Sequence, residues 1–212
     1  MTLKASSVLS ILAIWIGSIV AVILEPDGWW LLIFAGLATA TVGTSAWRRL
    51  GISRLIAIAG IWAGVGFAAG STSDAAWVSI FAFVSTATVV FSTMRRDAWL
   101  LGVGILVAWL AVGLSVAVRG DGTAWMCVFA FVTAGAVANS HHPFSRGIAA
   151  IVWWGAAGAL VLIFGENLAW LSVFAFLLTA LSFGIGGFDF PRGLEWDLWD
   201  RDDDGERAKV VR

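Results

Sequence analysis

Eight apolar stretches follow one another along the chain, separated by short polar connections. Most reach the roughly 17–25 residues that an α-helix needs to cross a bilayer. None shows the alternating polarity of a membrane β-strand, whereas a helix satisfies its own backbone hydrogen bonds in lipid. The pattern predicts an all-α, polytopic membrane protein with eight transmembrane helices, at approximately residues 7–24, 29–47, 55–70, 76–94, 99–118, 124–140, 147–164 and 169–187.

Tryptophan residues recur at a nearly constant interval. The odd-numbered stretches contain Trp15, Trp62, Trp109 and Trp154, and the even-numbered stretches open with Trp30, Trp77, Trp125 and Trp170. A unit of two stretches therefore occurs four times, which predicts four parallel two-helix hairpin repeats at approximately 7–48, 51–96, 99–142 and 147–187. Because the first stretch belongs to this register, it is expected to stay in the mature protein and not to be cleaved as a signal peptide.

The charged residues predict the orientation of these hairpins. Acidic residues occupy the connections after odd stretches, where Arg119 is the only basic residue. Basic residues before the first stretch and around the connections after even stretches are Lys4, Arg48, Arg49, Arg54, Arg95, Arg96 and Arg146. Since basic loops remain in the cytoplasm, we expect a multi-pass protein of the cell membrane with both termini cytoplasmic. Parallel repeats disfavour an inverted-repeat transporter but leave both a closed ring and an open arc of hairpins possible.

Composition agrees with this interpretation. The chain is 60% hydrophobic and 13% charged, with a mean hydropathy of +0.91, so lipid is its expected main solvent. A net charge of -1 without a long basic cluster makes nucleic-acid binding improbable. The excess of arginine over lysine, with abundant glycine and alanine, is typical of a GC-rich genome and suggests a prokaryote.

A stripe of small and hydroxyl residues runs along one face of the even helices. Residues two, five and nine positions after each even tryptophan share a helix face, because spacings of three and four do so. Its polar or sulfur-containing members are Thr39, Ser79, Thr86, Cys127, Ser172 and Thr179. The stripe has two interpretations, which are ordinary close packing of membrane helices or the lining of a narrow path for water or a small neutral solute.

Aromatic and glycine residues predict the contacts between helices. Phe81 and Phe83, like the equivalent pairs in the later repeats, leave their helix on different sides and are expected to wedge between helices or to face lipid. The odd-helix tryptophans lie near mid-membrane and are expected to fit glycine-lined holes in an adjacent unit. Gly60 with Gly64, and Gly66 with Gly70, have the small-xxx-small spacing that allows close helix crossing.

The chain lacks the residues that membrane chemistry usually needs. No Asp, Glu, Lys or Arg lies well inside a predicted helix, which disfavours ion-coupled transport. His141 and His142 are adjacent, without a third metal ligand, and Cys127 is the only cysteine. No base accompanies the serines, and no carboxylates are paired in the membrane. We therefore predict no enzyme activity, no cofactor and no metal site.

Residues 1–187 form the predicted transmembrane domain, and residues 188–212 form an interfacial segment with an acidic cytoplasmic tail. Aromatic and charged residues alternate up to residue 200, as suits a segment lying at the interface. The run Asp200, Asp202, Asp203, Asp204 and Gly205 resembles the first half of a calcium loop, but its twelfth position is Val211 instead of Glu. A solvated tail that docks a partner is the favoured interpretation.

Two functions remain compatible with the sequence. The first is a non-catalytic structural or accessory subunit, or scaffold, of a membrane complex, with a protein partner or a second copy as well as the bilayer around it. The absence of charge within the predicted helices favours it. The second is a passive channel or facilitator for water or a small neutral solute, which the repeated hydroxyl stripe favours.

Overall fold

The computed structural model describes residues 5–44 and 50–182, and every element within these two ranges is helical. Lys4, Arg48, Arg49 and the tail, including Asp200, Asp202, Asp203 and Asp204, lie outside the described residues. The described part of the chain forms eight α-helices, which are α1 (Ala5–Leu24), α2 (Leu31–Thr44), α3 (Ile52–Ala69), α4 (Val78–Phe91), α5 (Trp99–Arg119), α6 (Met126–Ala138), α7 (Pro143–Phe164) and α8 (Leu171–Leu181).

Within the described residues, six helical segments are long and apolar enough to cross a membrane. In two of them a 3₁₀ turn runs into the following α-helix and adds to its length. The segments are Ala5–Leu24, Ile52–Ala69, Ser73–Phe91, Trp99–Arg119, Asp121–Ala138 and Pro143–Phe164. The segments Leu31–Thr44 and Glu166–Leu181 are apolar but shorter. The expectation of an all-helical protein suited to multiple membrane crossings is thus confirmed for six helices.

A short 3₁₀ turn joins each odd-numbered helix to the next even-numbered one. Each turn has an acidic residue near its start, which favourably meets the positive end of the helix dipole. The turns are Pro26–Gly28, Ser73–Ala75, Asp121–Thr123 and Glu166–Leu168. Gly120 and Gly165 precede the last two turns with φ angles of +89° and +110°, which glycine adopts without strain. We call the end of the bundle with these turns the acidic end, and the opposite end the basic end.

The helices pack in two rows. One row contains α1, α3, α5 and α7 in this order, and the other contains α2, α4, α6 and α8. Within each pair, α1/α2, α3/α4, α5/α6 and α7/α8, the two members also contact each other across the rows. Neither α1 with α7 nor α2 with α8 forms a packed contact, so the eight described helices do not close into a ring. Of the two arrangements that the sequence permits, the structure has the open one.

Glycine residues bring the helices of the odd row into backbone contact. A side chain on Gly17 or Gly64 would overlap the carbonyl oxygen of Trp62 or Trp109, respectively, on the next odd helix. Gly60 lies equally close to the backbone of Leu106. Such contacts maximise van der Waals attraction, which drives helix association in lipid, where water no longer favours burial.

Phenylalanine rings join the helices of the even row. The ring centroids of Phe34 and Phe83 are 6.4 Å apart, those of Phe81 and Phe131 are 6.1 Å apart, and those of Phe129 and Phe176 are 6.4 Å apart. In each of these pairs, the first-named phenylalanine also makes an edge-to-face contact with the tryptophan four residues earlier in the chain. Of the predicted pairs, Phe81, Phe83, Phe129, Phe131 and Phe176 lie between helices, whereas Phe174 is exposed, which is the other alternative that the sequence left open.

The odd-helix tryptophans contact their neighbours differently from the prediction. Trp62, Trp109 and Trp154 are fully buried, but Gly17 and Gly64 meet the tryptophan backbone and not a ring inserted as a knob. Trp62 and Trp154 direct their indole N–H groups to threonines of the even row. The physical reason is the glycine contact itself, because backbones that touch leave no room for an indole between them.

Candidate functional site

The hydroxyl stripe lies inside the helix bundle. Ser79, Thr86, Cys127, Ser172 and Thr179 are fully buried on α4, α6 and α8. Thr39 on α2 is partly exposed as a residue, although its Oγ1 atom is buried. Five of the six stripe residues that the sequence singled out are therefore in the interior of the bundle.

Three stripe hydroxyls bond to the backbone of their own helix or of the turn before it. Ser79 Oγ donates to the carbonyl of Ala76 at 2.7 Å, and Thr86 Oγ1 donates to that of Ala82 at 2.8 Å. Thr179 Oγ1 donates to the Ala175 carbonyl at 2.6 Å. Such bonds satisfy the hydroxyl proton without help from a solute.

Two threonine hydroxyls also accept hydrogen bonds from tryptophans of the odd row. Trp62 Nε1 donates to Thr86 Oγ1 at 3.0 Å, and Trp154 Nε1 donates to Thr133 Oγ1 at 3.1 Å. These bonds connect the two rows in the interior of the bundle. The sequence placed Thr86 in the stripe but gave no sign of its partner, because the two residues lie 24 positions apart.

Several other buried polar atoms have no hydrogen-bond partner among the described residues. They include Trp109 Nε1 and the hydroxyls of Thr39, Ser85, Ser115 and Ser172. Thr86 lies nine residues after Trp77 in the α3/α4 pair. The equivalent residue of the α5/α6 pair, nine residues after Trp125, is Ala134. The indole of Trp109 consequently lacks the acceptor that Trp62 has.

Two apolar grooves follow the odd row on its surface. The groove between α1 and α3 has a volume of about 250 Å³ and includes Gly17, Gly66 and Gly70 in its lining. The groove between α5 and α7 has a volume of about 240 Å³ and includes Ala111 and Gly158 at equivalent positions. No stripe residue lines either groove.

Arginine side chains close the ends of neighbouring helices. Arg54, at the start of α3, donates from Nε to the Val89 carbonyl at 3.1 Å and from Nη2 to the Ser92 carbonyl at 2.8 Å. It thereby satisfies the C-terminal carbonyls of α4, which have no partner within their own helix. Arg146 lies eight residues before Trp154, as Arg54 lies eight before Trp62, and is only 7% exposed.

Arg119, the basic residue at the acidic end, performs the same task for α7. Its Nε donates to the Leu162 carbonyl at 3.1 Å, and its Nη2 donates to the carbonyls of Leu162 and Ile163. In the sequence, the arginines indicate only the orientation of the helices. The isolation of Arg119 at the acidic end set it apart in the sequence, but no sequence feature identified backbone carbonyls as the partners of Arg54 or Arg119.

A small pocket of about 180 Å³ opens at the basic end, between the α4–α5 connection and the start of α7. Arg95, Asp97, Trp99 and Phe144 are among its lining residues. His141 and His142 are exposed in the connection just before α7. Within residues 5–44 and 50–182, no three His, Cys, Asp or Glu side chains come together as a metal site would require.

Comparison of the chain with protein-family models, curated protein sequences and solved structures finds no significant match.

Proposed function

We propose that this protein is a non-catalytic integral protein of the cell membrane that acts as a structural or accessory subunit, or scaffold, of a membrane complex. We further propose that its four helix pairs are parallel hairpin repeats which cross the membrane eight times, with both termini in the cytoplasm. The functional proposal rests mainly on the backbone-to-backbone packing of successive helices in the odd row. Helices in such close contact are suited to hold a fixed shape.

The bonds of the stripe support the same role. The hydroxyls of Ser79, Thr86 and Thr179 are fully buried and donate to nearby backbone carbonyls. Thr86 also holds the indole of Trp62. Only the Thr86 bond joins two helices, but the protons of all three hydroxyls are already donated within the protein.

The proposed orientation draws on the distribution of charge. Arg54, Arg95, Arg96 and Arg146 lie at the basic end, where excess positive charge favours the cytoplasmic side. The exception, Arg119, has a structural task on the carbonyls of α7. Apolar helix surfaces exposed along α1 and α7 fit contact with lipid or with another membrane protein.

The alternative proposal is a passive channel or facilitator for water or a small neutral solute. It draws support from the buried polar atoms without a partner among the described residues, above all Ser85 Oγ, Ser172 Oγ and Trp109 Nε1. Such atoms could hydrogen-bond a passing molecule. They belong to three different helices, α4, α8 and α5.

Gentle detergent extraction from the native membrane, followed by mass determination of the intact complex, tests the subunit proposal. We expect an assembly that contains at least one other protein in a fixed ratio. An isolated monomer or homo-oligomer would contradict the proposal and favour the channel. Removal of residues 200–212 then tests the tail, since unchanged co-purification of the partner would exclude docking there.

Solute flux into vesicles containing the purified protein tests the channel. The variants replace Ser79 and Ser172 with alanine and Thr86 and Thr179 with valine, which removes the hydroxyls with little change in size. The subunit proposal expects no flux above empty vesicles in either form. Flux through the unaltered protein that falls in the variant would favour the channel.

A further inference from the structure

Neighbouring helix pairs meet through the same residue positions at each of their three junctions. At each junction, the helix pair that comes first in the chain contributes two positions. One is the second residue after the tryptophan of its odd helix, and the other is the fourth residue after the tryptophan that opens its even helix. We call this surface the leading face, and at the three junctions it contains Gly17 with Phe34, Gly64 with Phe81, and Ala111 with Phe129.

The pair on the C-terminal side contributes the fourth residue after its odd tryptophan and the sixth after its even tryptophan. We call this surface the following face. It contains Gly66 with Phe83, Gly113 with Phe131, and Gly158 with Phe176. A Cβ atom on Gly66 would lie 3.2 Å from the Gly17 carbonyl oxygen, and one on Gly158 would lie 2.7 Å from the Ala111 Cβ. A following face therefore needs glycine on its odd helix.

The last pair, α7/α8, keeps a leading face that no described helix covers. Its residues at the two leading positions are Ala156 and Phe174, and both are exposed, Phe174 to 49%. Trp153 lies one helical turn before Ala156 and is exposed too. Phe174 contacts the ring of Trp170 on its own helix, as Phe34, Phe81 and Phe129 contact theirs, but it has no ring contact with another described helix.

The first pair, α1/α2, does not have a following face that could cover it. Ile19 stands where the other three pairs have glycine, and it is 48% exposed. Gly36 stands where the others have phenylalanine, and the space beside it is open. A second copy added head to tail would therefore meet a bulky side chain in the odd row and find no ring in the even row. This mismatch prevents the open-ended growth that a self-complementary row would permit.

We propose that the leading face of α7/α8 binds a transmembrane helix pair of a different protein, which places glycine against Ala156 and an aromatic ring against Phe174. This proposal rests on the proposed subunit role and identifies the surface through which the subunit contacts its partner. The reason is that, at the three junctions within the chain, the leading face is covered by a glycine and a phenylalanine of the next helix pair. Small residues at such a site let the two backbones approach closely.

Photocrosslinking of the full-length protein in its native membrane tests the proposal. A photoreactive phenylalanine analogue replaces Trp153 on the leading face of α7, and in a control protein it replaces Leu12 on the exposed surface of α1. The first probe is combined with Ala156→Leu, which fills the contact, or with Ala156→Ser, which keeps its size. Because Ala156 is exposed, both variants should fold, and an unchanged elution profile in detergent checks this.

We expect the probe at position 153 to form an adduct with one other membrane protein. Mass spectrometry should place the attachment in an apolar span that has glycine within one helical turn and an aromatic residue in the same helix pair. Ala156→Leu should lower the yield roughly tenfold, since overpacking a close helix contact weakens it, while Ala156→Ser should leave the yield unchanged. The probe at position 12 should not form this adduct.

Adducts with lipid alone, no adduct, a yield insensitive to Ala156→Leu or an attachment span lacking the glycine would each overturn the proposal. An adduct between two copies of this chain would also overturn it. If the intact complex contains another protein but the adduct is missing, only the assigned surface is wrong. If the complex contains no other protein, the proposed subunit role fails as well.

Discussion

The odd and even rows join the same four helix pairs by opposite means. In the odd row, Gly17 and Gly64 allow the backbones of successive helices to touch. In the even row, phenylalanine rings fill the space between helices at centroid distances of 6.1–6.4 Å. Since lipid supplies little hydrophobic driving force, both solutions depend on van der Waals contact, but only the first leaves no room for an added atom.

The two rows should therefore differ in their tolerance of substitution. A row built on backbone contact cannot relax around an extra methyl group without moving whole helices. A row built on side-chain rings can adjust by rotation of those rings. Two substitutions test this difference and two test the links between the rows, and thermal unfolding of the full-length protein in one detergent measures all four.

The largest effect is expected for Gly64→Ala in α3. The new methyl group would overlap the carbonyl oxygen of Trp109, so the protein should lose about 3 kcal/mol of stability, at the upper end of the usual range for overpacking. Gly36→Ala in α2 is the matched control, because the space beside it is open and alanine favours a helix by roughly 0.5–1 kcal/mol. Equal melting temperatures of the two variants would contradict the proposed role of the glycine contact.

Arg54→Met should have the second largest effect, because it cuts a link between the rows. It removes two charge-assisted hydrogen bonds to the end of α4, and we expect a loss of about 2–3 kcal/mol. Arg95→Met is the control, since the Arg95 side chain is exposed and such changes usually stay within about 0.5 kcal/mol. A stable Arg54→Met protein would mean that water can replace the guanidinium at these carbonyls.

A smaller loss is expected for Phe81→Leu in the even row. The substitution removes ring contacts with Trp77 and Phe131 but keeps an apolar side chain, so about 1 kcal/mol should be lost. Phe174→Leu, at the open end of the row, loses only the contact with Trp170 and should cost less. If Phe81→Leu proved as damaging as Gly64→Ala, the contrast between the rows would be wrong.

The smallest effect is expected for Thr86→Val, which keeps the side-chain volume but leaves the Trp62 indole without its acceptor. Hydrogen bonds between membrane helices average about 0.6 kcal/mol, so a loss of this size should follow. Thr88→Val serves as the control, since its exposed hydroxyl bonds only to the carbonyl of Val84 on its own helix. No difference between the two variants would show that the bond between the rows contributes nothing measurable.

Much of the local structure could be predicted from the sequence, whereas the candidate site could be predicted only in part. The apolar stretches located the helices, and the phenylalanine pairs indicated contacts between them. The stripe follows from helical spacing alone, whereas the bond of Thr86 to Trp62 depends on how two helices rotate against each other. The roles of Arg54 and Arg119 were missed because their partners are backbone carbonyls, which carry no sequence signal.

The sequence by itself determined that the chain forms apolar helices and where most of them lie, because in lipid each segment must satisfy its backbone hydrogen bonds locally. It also determined the regular spacing of tryptophan, glycine and phenylalanine. Only the tertiary structure decided that the helices form two open rows instead of a ring, and that glycine meets a backbone instead of an indole. Those outcomes depend on the rotation and distance between helices, which no segment fixes alone and which the packing of all of them sets together.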